Sequence, residues 1–140
     1  MVKVNLSTKL PVSTKQVWDL IGNFNALPDW HPAVERSEIE EEEGGRGVIR
    51  RLHLLGGGTV VERLERLDDS EHLYSYEILE SPLPVADYHA TLRVREEEGG
   101  CTVEWSSEFE PKGAPEQDAA AVIQGIFDAG LENLKKMFGG

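Results

Sequence analysis

The chain has 140 residues, which is enough for one domain with a hydrophobic core and too few for two. Its formal net charge of −12 argues against nucleic acid or an anionic membrane surface as a partner. Cys101 is the only cysteine, which excludes an internal disulfide and a thiolate metal cluster. The N-terminal residues have no signal-peptide pattern, and no apolar run approaches membrane-spanning length. We therefore expect a cytoplasmic protein whose residues 1–140 form a single domain.

The first predicted elements are a strand and two short helices. Apolar and polar residues alternate over Val2–Leu10, which predicts a strand with one buried face. Ser13 and Gln16 have the spacing of a capping box, so a short helix should follow and end near Gly22. The run Phe24–Trp30 predicts a further helical turn or two.

Six strand-like segments follow, separated by short connections that contain glycine, proline or acidic residues. Consecutive strands with short connections are usually antiparallel neighbours. The acidic runs Glu40–Glu43 and Glu96–Glu98 each precede two glycines and predict solvated hairpin tips. The predicted strands are Val34–Glu40, Gly47–Leu54, Thr59–Leu67, His72–Glu80, Tyr88–Glu96 and Thr102–Glu110.

The last predicted element is a long helix that begins at Pro115 and carries a wide apolar stripe. Acidic residues occupy its first turn and lysines its last, as the helix dipole favours. Its length is roughly 35 Å, enough to lie across a whole sheet. The element order predicts an α+β domain in which one curved, seven-stranded antiparallel sheet wraps one long helix.

The interior between sheet and helix is predicted to contain polar side chains and a cavity. Strand alternation places a polar set on the inner face, namely Arg50, Glu62, Tyr76, Tyr88 and Ser107. Buried charges are costly unless paired, so Arg50 and Glu62 form either a structural ion pair or part of a polar patch in an apolar pocket. Both interpretations can hold together.

Two small residues suggest where that cavity lies. Gly130 lies on the apolar stripe of the last helix, where glycine costs ~1 kcal/mol relative to alanine. Ala90 removes bulk from the opposite wall. We expect the glycine-rich loop Leu55–Gly58 and the loop Ser81–Val85 to lie together at the cavity mouth. His31, next to Trp30, is assigned either to core packing or to that mouth.

Several segments, in this order and spacing, resemble a known family: Val17–Val34, Gly47–Arg50, Glu62–Asp69, Ser81–Tyr88 and Gly130–Leu134. They are similar to the polyketide cyclase/dehydrase branch of the START-like (SRPBCC, birch-pollen-allergen-like) superfamily. The resemblance covers essentially the whole chain. It implies a helix-grip fold, with a cavity for hydrophobic ligands between the sheet and a C-terminal helix.

The chain is also distantly similar to the plant abscisic-acid receptors, whose pocket positions can be transferred to this sequence. The receptors' lysine for the ligand carboxylate falls near Glu35, their gate becomes Leu55–Gly58 and their latch becomes Leu83–Pro84. Hormone binding therefore does not follow. The ligand-binding residues predicted from the resemblance and the face assignments are Arg50, Leu52, Leu54, Glu62, Tyr76, Ile78, Leu83, Val85, Tyr88, Ala90, Trp105, Val122, Ile126 and Gly130.

Two functions are compatible with this pattern. The first is a carrier or sensor of a small hydrophobic or aromatic molecule. The alternative is a polyketide cyclase or dehydratase that uses Arg50, Glu62, Tyr76 and Tyr88, in which Arg50 or a tyrosine steadies an enolate and Glu62 moves protons. No cofactor and no specific protein partner are predicted. The four histidines show no ligand spacing, so no metal site is predicted either.

Overall fold

The computed structural model describes residues 1–41 and 47–139 of the chain. The predicted hairpin tip that follows Glu40 falls largely on residues 42–46, outside the described residues. The elements in chain order are β1 Val2–Leu10, α1 Thr14–Ile21, α2 Leu27–Trp30, β2 Val34–Glu41, β3 Val48–Leu54, β4 Thr59–Asp68, β5 Leu73–Glu80, β6 Val85–Glu97, β7 Gly100–Pro111 and α3 Glu116–Phe138.

The seven strands form one antiparallel sheet in the order β1-β7-β6-β5-β4-β3-β2. Strands β2 to β6 are each hydrogen-bonded to the next strand along the chain, and β1 closes the order beside β7. Helix α3 packs against the sheet, and the core lies between them. The predicted α+β helix-grip architecture is thereby confirmed.

The local signals in the sequence explain most element boundaries. Ser13 caps α1 through a complete capping box with Gln16, and Gly22 ends that helix. Strand β6 begins at Val85, upstream of the predicted start at Tyr88. Asp87 has a φ of 50°, and the register shifts beside it, so a β-bulge lets the ladder continue past this point.

No helix within residues 1–41 and 47–139 combines the length and the apolar composition needed to cross a bilayer.

Aromatic rings fill one end of the interior, and Gly130 is what lets them approach α3. A Cβ atom added at Gly130 would lie 2.8 Å from Cδ2 of His31 and 3.0 Å from ring carbons of both Trp30 and Trp105. The glycine therefore does not leave an empty space, as the sequence suggested. It permits close contact between α3 and three buried rings. The Trp105 ring, one of the three, stacks on Phe127 of α3 with 4.3 Å between the ring centroids.

His31 connects the segment after α2 to α3 through hydrogen bonds at both ring nitrogens. Its Nδ1 accepts from the backbone N–H of Ala33 at 3.1 Å, which leaves Nε2–H to donate to the carbonyl oxygen of Ile126 at 2.7 Å. Asn133 adds a second link, because its side-chain amide donates to the carbonyl of Trp30 at 2.8 Å. Burial of His31 lowers its pKa, and the Arg50 charge acts in the same direction, against the Ile126 hydrogen bond.

We predict that Gly130→Ala destabilises the fold. The added methyl group would collide with three buried rings, so a loss of about 1–3 kcal/mol in the free energy of unfolding is expected. Gly125→Ala is the matched control, because it lies on the exposed face of the same helix with no atom within 4 Å of an added Cβ. That change should stabilise the protein by up to about 1 kcal/mol. Denaturant unfolding measures both, and equal stabilisation by the two alanines would contradict close packing of the rings on Gly130.

We predict that the protein loses stability as the pH falls, because the folded state holds His31 in its neutral form. The unfolded chain takes up a proton at His31 near about pH 6.5, whereas the folded protein does so only at lower pH. The contribution of His31 to the free energy of unfolding is therefore fully present above about pH 6.5. Below that pH it is lost at up to about 1.4 kcal/mol per pH unit.

The measurement is the free energy of unfolding between about pH 7.5 and about pH 5, for the wild-type protein and for His31→Gln. The variant should be less stable at neutral pH but should lack the loss attributed to His31. His89→Gln, at an exposed histidine, should retain that loss. Parallel curves for the wild-type protein and His31→Gln would count against a buried neutral imidazole.

Candidate functional site

A cavity of about 290 Å³ lies between the sheet and α3. Mostly apolar side chains from the inner face of β3 to β7 form one wall, and residues of α3 form the other. The α2 region and two loops complete it. Its lining residues are Leu27, His31, Ala33, Val34, Leu52, Leu54, Leu55, Gly57, Val60, Glu62, Tyr76, Ile78, Leu83, Tyr88, Trp105, Val122, Ile123, Ile126 and Phe127.

Two loops meet at the open side of this cavity. The β3–β4 loop contributes Leu55 and Gly57, and the β5–β6 loop contributes Leu83. The loops are close to each other, since a Cβ added at Gly58 would lie 3.7 Å from Cγ of Pro82. Gly56 to Gly58 have φ values of 89°, 108° and 99°, a region that other residues rarely adopt. The β3–β4 loop therefore requires its glycines.

Three polar side chains on the sheet side of the cavity lie close together and form what we call its polar end. Glu62 on β4, Tyr76 on β5 and Tyr88 on β6 lie on three adjacent strands, and all three are buried. The indole N–H of Trp105 on β7 donates to the Tyr76 hydroxyl at 3.1 Å. Among the described residues, Glu62 is the only charged side chain that lines the cavity.

Glu62 is fixed by Arg50, its direct partner across the β3–β4 ladder. The Arg50 Nε–H donates to Glu62 Oε1 at 2.7 Å, and Arg50 is completely buried. Its Nη1 donates to the carbonyl of Phe24 at 2.7 Å and to the Tyr74 hydroxyl at 3.2 Å. The Arg50 Cζ also lies 4.0 Å from the centre of the Phe24 ring and 4.9 Å from that of Tyr76. The guanidinium is thus enclosed by protein groups.

Burial sets the protonation behaviour of these groups. It raises the pKa of Glu62, and the charge and hydrogen bond of Arg50 act against that increase. Burial alone would lower the pKa of Arg50, but its interactions with Tyr74 and Glu62 hold that pKa above the ordinary value. Burial also raises the pKa of Tyr76 and of Tyr88, so both phenols stay protonated at neutral pH.

The structure brings most of the predicted ligand-binding residues to the wall of this one cavity. Whether they contact a ligand remains a prediction. The predicted residues on the wall are Leu52, Leu54, Glu62, Tyr76, Ile78, Leu83, Tyr88, Trp105, Val122 and Ile126.

The other predicted residues are buried away from the cavity surface. Arg50 lies behind Glu62 and is covered by aromatic rings, and Gly130 is covered by Trp30, Trp105 and His31. Ala90 lies within the sheet between Tyr76 and Ser107, its partners on β5 and β7. Val85 lies at the start of β6, opposite Pro111, and borders a depression on the outside of the sheet.

Several wall residues were not predicted from the sequence, and they fall into two groups. One group comprises Val60, Ile123 and Phe127, which the apolar patterns place on inner faces without distinguishing cavity wall from filled core. The other group is Leu27 at the start of α2, Ala33 in the connection that follows, and Val34 at the start of β2, where no periodicity assigns a direction to a side chain. His31, Leu55 and Gly57 also line the cavity; the sequence had placed the Leu55–Gly58 loop at the cavity mouth and had left the mouth as one alternative for His31.

Other depressions in the described part of the chain are more open and more polar. One of them holds about 510 Å³ on the outer surface, beside β5, β6 and Lys112. On the same outer face, ligand atoms of Glu65, Glu77 and His89 lie within 4.8 Å of one another. Glu77 pairs with Arg63 at 3.3 Å and His89 contacts Glu65 at 3.1 Å, so both carboxylates already have a partner within the protein.

Comparison with known proteins places this geometry in a family. Residues 1–139 match the family model described as polyketide cyclase / dehydrase and lipid transport. The structure of protein XoxI from Bacillus cereus is 39% identical, with a TM-score of 0.90 over 99% of this chain and 96% of that chain. An abscisic acid receptor from Arabidopsis thaliana, PYL7, is 25% identical over 84% of this chain, and the match spans 59% of the receptor's own length.

A more distant structure shows how widely the fold extends. The Zhui aromatase/cyclase from Streptomyces sp. R1128 is 18% identical, with a TM-score of 0.77 over 98% of this chain and 93% of that chain. At this identity the likeness shows the fold alone. The family match covers nearly the whole chain, and the fold agrees with it. The chain therefore belongs to the polyketide cyclase / dehydrase and lipid transport family.

Proposed function

We propose that this protein binds a small hydrophobic or aromatic molecule in the cavity between the sheet and α3, as a carrier or a sensor. The observation that carries the proposal is a mostly apolar cavity whose few polar groups are concentrated at one end. That arrangement is typical of small-molecule sites, in which apolar contacts supply affinity and a few polar atoms fix orientation. Each square ångström of apolar ligand surface removed from water contributes about 25 cal/mol.

The size of the cavity restricts the kind of ligand. Small-molecule pockets commonly hold roughly 300–1,000 Å³, and this one, at about 290 Å³, is at the lower limit. A compact molecule of two or three rings fits that space better than a long acyl chain. The family description, which includes lipid transport, supports binding of an apolar molecule in general.

The alternative is catalysis of the cyclase or dehydratase kind that the family description also names. One observation favours it, because Glu62, Tyr76 and Tyr88 converge at the same end of the cavity. Glu62 is the group able to accept a proton, and the two protonated tyrosines can donate hydrogen bonds to a carbonyl or enolate oxygen. The complete burial of Arg50 behind Glu62 weighs against a direct role for it in that chemistry. Binding without turnover therefore has the stronger support.

The proposal predicts that filling the cavity abolishes binding of a neutral apolar probe. Ile126→Trp places an indole into the cavity from α3, whereas Gln124→Trp adds the same bulk on the exposed face of that helix. Titration with the fluorescent probe N-phenyl-1-naphthylamine should show at least about a tenfold loss of affinity for Ile126→Trp, and little change for the control. Thermal unfolding of both variants checks that the fold persists.

Equal probe binding by the wild-type protein and a folded Ile126→Trp variant would contradict the proposed site. Native mass spectrometry of the freshly purified protein provides the complementary observation, because a retained ligand adds its mass to the intact chain. Incubation with a linear poly-β-ketone distinguishes the two functions. Release of the unchanged compound supports binding alone, and recovery of a cyclised or dehydrated product supports the enzyme.

A further inference from the structure

At the polar end of the cavity, the negatively charged member of the ion pair faces a ligand, and the positively charged member is buried behind it. Glu62 lies on the wall, whereas Arg50, with no exposed surface, lies behind it. Among the described residues, Arg50 is the only hydrogen-bond donor to the Glu62 carboxylate, and the bond reaches one of its two oxygens, Oε1. A ligand that enters the cavity therefore approaches the acidic member of the pair first.

Burial separates the Arg50 guanidinium from the cavity, although its Nη2 has no hydrogen-bond partner among the described residues. Its Nη1 is committed to the Phe24 carbonyl and the Tyr74 hydroxyl, and its Nε is committed to Glu62. The rings of Phe24 and Tyr76 lie over its carbon centre at 4.0 and 4.9 Å. A ligand carboxylate would have to displace a packed ring to reach the guanidinium. The ion pair thus acts as a fixed dipole whose negative end, Glu62, faces the cavity.

The other N–H donors of the polar wall are also engaged within the protein. His31 Nε2–H donates to the Ile126 carbonyl at 2.7 Å, and Trp105 Nε1–H donates to the Tyr76 hydroxyl at 3.1 Å. The Tyr76 hydroxyl, which also interacts with the Tyr88 hydroxyl, is engaged in the same way. The polar group left to meet a ligand is the Glu62 carboxylate, which accepts hydrogen bonds and cannot donate them. This wall favours a ligand that carries its own donor.

Electrostatics on a larger scale act in the same direction. A ligand carboxylate beside Glu62 would place two negative charges close together in a region of low dielectric constant, where repulsion is much stronger than in water. The protein's formal net charge of −12 also disfavours the approach of anions. A neutral hydroxyl avoids both penalties and can donate a hydrogen bond to the carboxylate.

We propose that this cavity selects neutral, ring-containing ligands that carry a hydroxyl or similar donor directed at Glu62, and that it rejects the corresponding carboxylates. This inference rests on the proposed binding function and specifies its ligand class. It assigns to Glu62 a role in specificity, in addition to its structural pairing with Arg50.

Three probes that share one ring system test the proposal: naphthalene, 2-naphthol and 2-naphthoate. At about pH 7 the naphthol is neutral and the naphthoate is an anion. We expect the wild-type protein to bind 2-naphthol at least about tenfold more tightly than 2-naphthoate, with naphthalene binding more weakly than the naphthol. Isothermal titration calorimetry, or competition with N-phenyl-1-naphthylamine, gives the dissociation constants.

Two variants assign the discrimination to Glu62. Glu62→Gln should reduce the preference for naphthol over naphthoate by about tenfold or more, because it removes the repelling charge and leaves Arg50 positive. Glu65→Gln, at an exposed site outside the cavity, changes the net charge equally and should leave the preference unchanged. The wild-type comparison alone keeps the proposal testable if Glu62→Gln fails to fold.

The outcomes separate this inference from the proposed function. Naphthoate binding to the wild-type protein as tightly as naphthol, or more tightly, overturns the selectivity while leaving the cavity function intact. A preference for naphthol that Glu65→Gln abolishes as fully as Glu62→Gln overturns the assignment to Glu62. Failure of all three probes to bind overturns the proposed function itself, and this inference with it.

Discussion

The buried ion pair between Arg50 and Glu62 is the interaction on which the rest of the interior depends. The register of β3 and β4 sets the two residues directly opposite each other, and the sheet excludes water from both. Desolvating two charges is expensive, so the pair requires the additional hydrogen bonds that Phe24 and Tyr74 accept from Arg50. Those bonds tie the segment after α1 to the sheet. They also hold the Glu62 carboxylate at the cavity wall, where it determines the local chemistry.

The interior is divided between a filled region and an open one. In the filled region Gly130 allows Trp30, His31 and Trp105 to pack directly on α3, which fixes the distance between helix and sheet. The open region lies beside these rings and beneath the glycine-rich β3–β4 loop, whose Gly57 borders the cavity. Trp105 and His31 line the cavity as well as filling the core, so the same packing that stabilises the fold shapes the site. A mutation at Gly130 or Trp30, which do not line the cavity, is therefore expected to affect binding through the geometry of Trp105 and His31.

The sequence was sufficient for the architecture and for part of the site. Period-2 alternation and the capping box at Ser13 report local geometry, and the pairing of consecutive strands from β2 to β7 follows from short connections, so these features were predicted correctly. The position of β1 beside β7 was not predicted, because no short connection joins the two strands. Alternation also placed Glu62 on the inner face. It could not show that Arg50 lies behind Glu62, because alternation assigns a side chain to the inner face but does not say how far it lies from the cavity. Likewise, Gly130 signals that side-chain bulk is excluded, but only the three-dimensional packing shows that rings occupy the space.

A double-mutant cycle on the ion pair tests the central claim most directly. The free energy of unfolding is measured by denaturant titration for the wild-type protein, Arg50→Met, Glu62→Gln and the double variant. Each single change leaves one buried polar partner uncompensated, so we expect each to cost roughly 3–5 kcal/mol. The double variant should be more stable than the sum of the two losses implies, by at least about 1 kcal/mol. Additive losses within about 0.5 kcal/mol would show that the pair is not coupled, and would contradict its role in both the fold and the cavity.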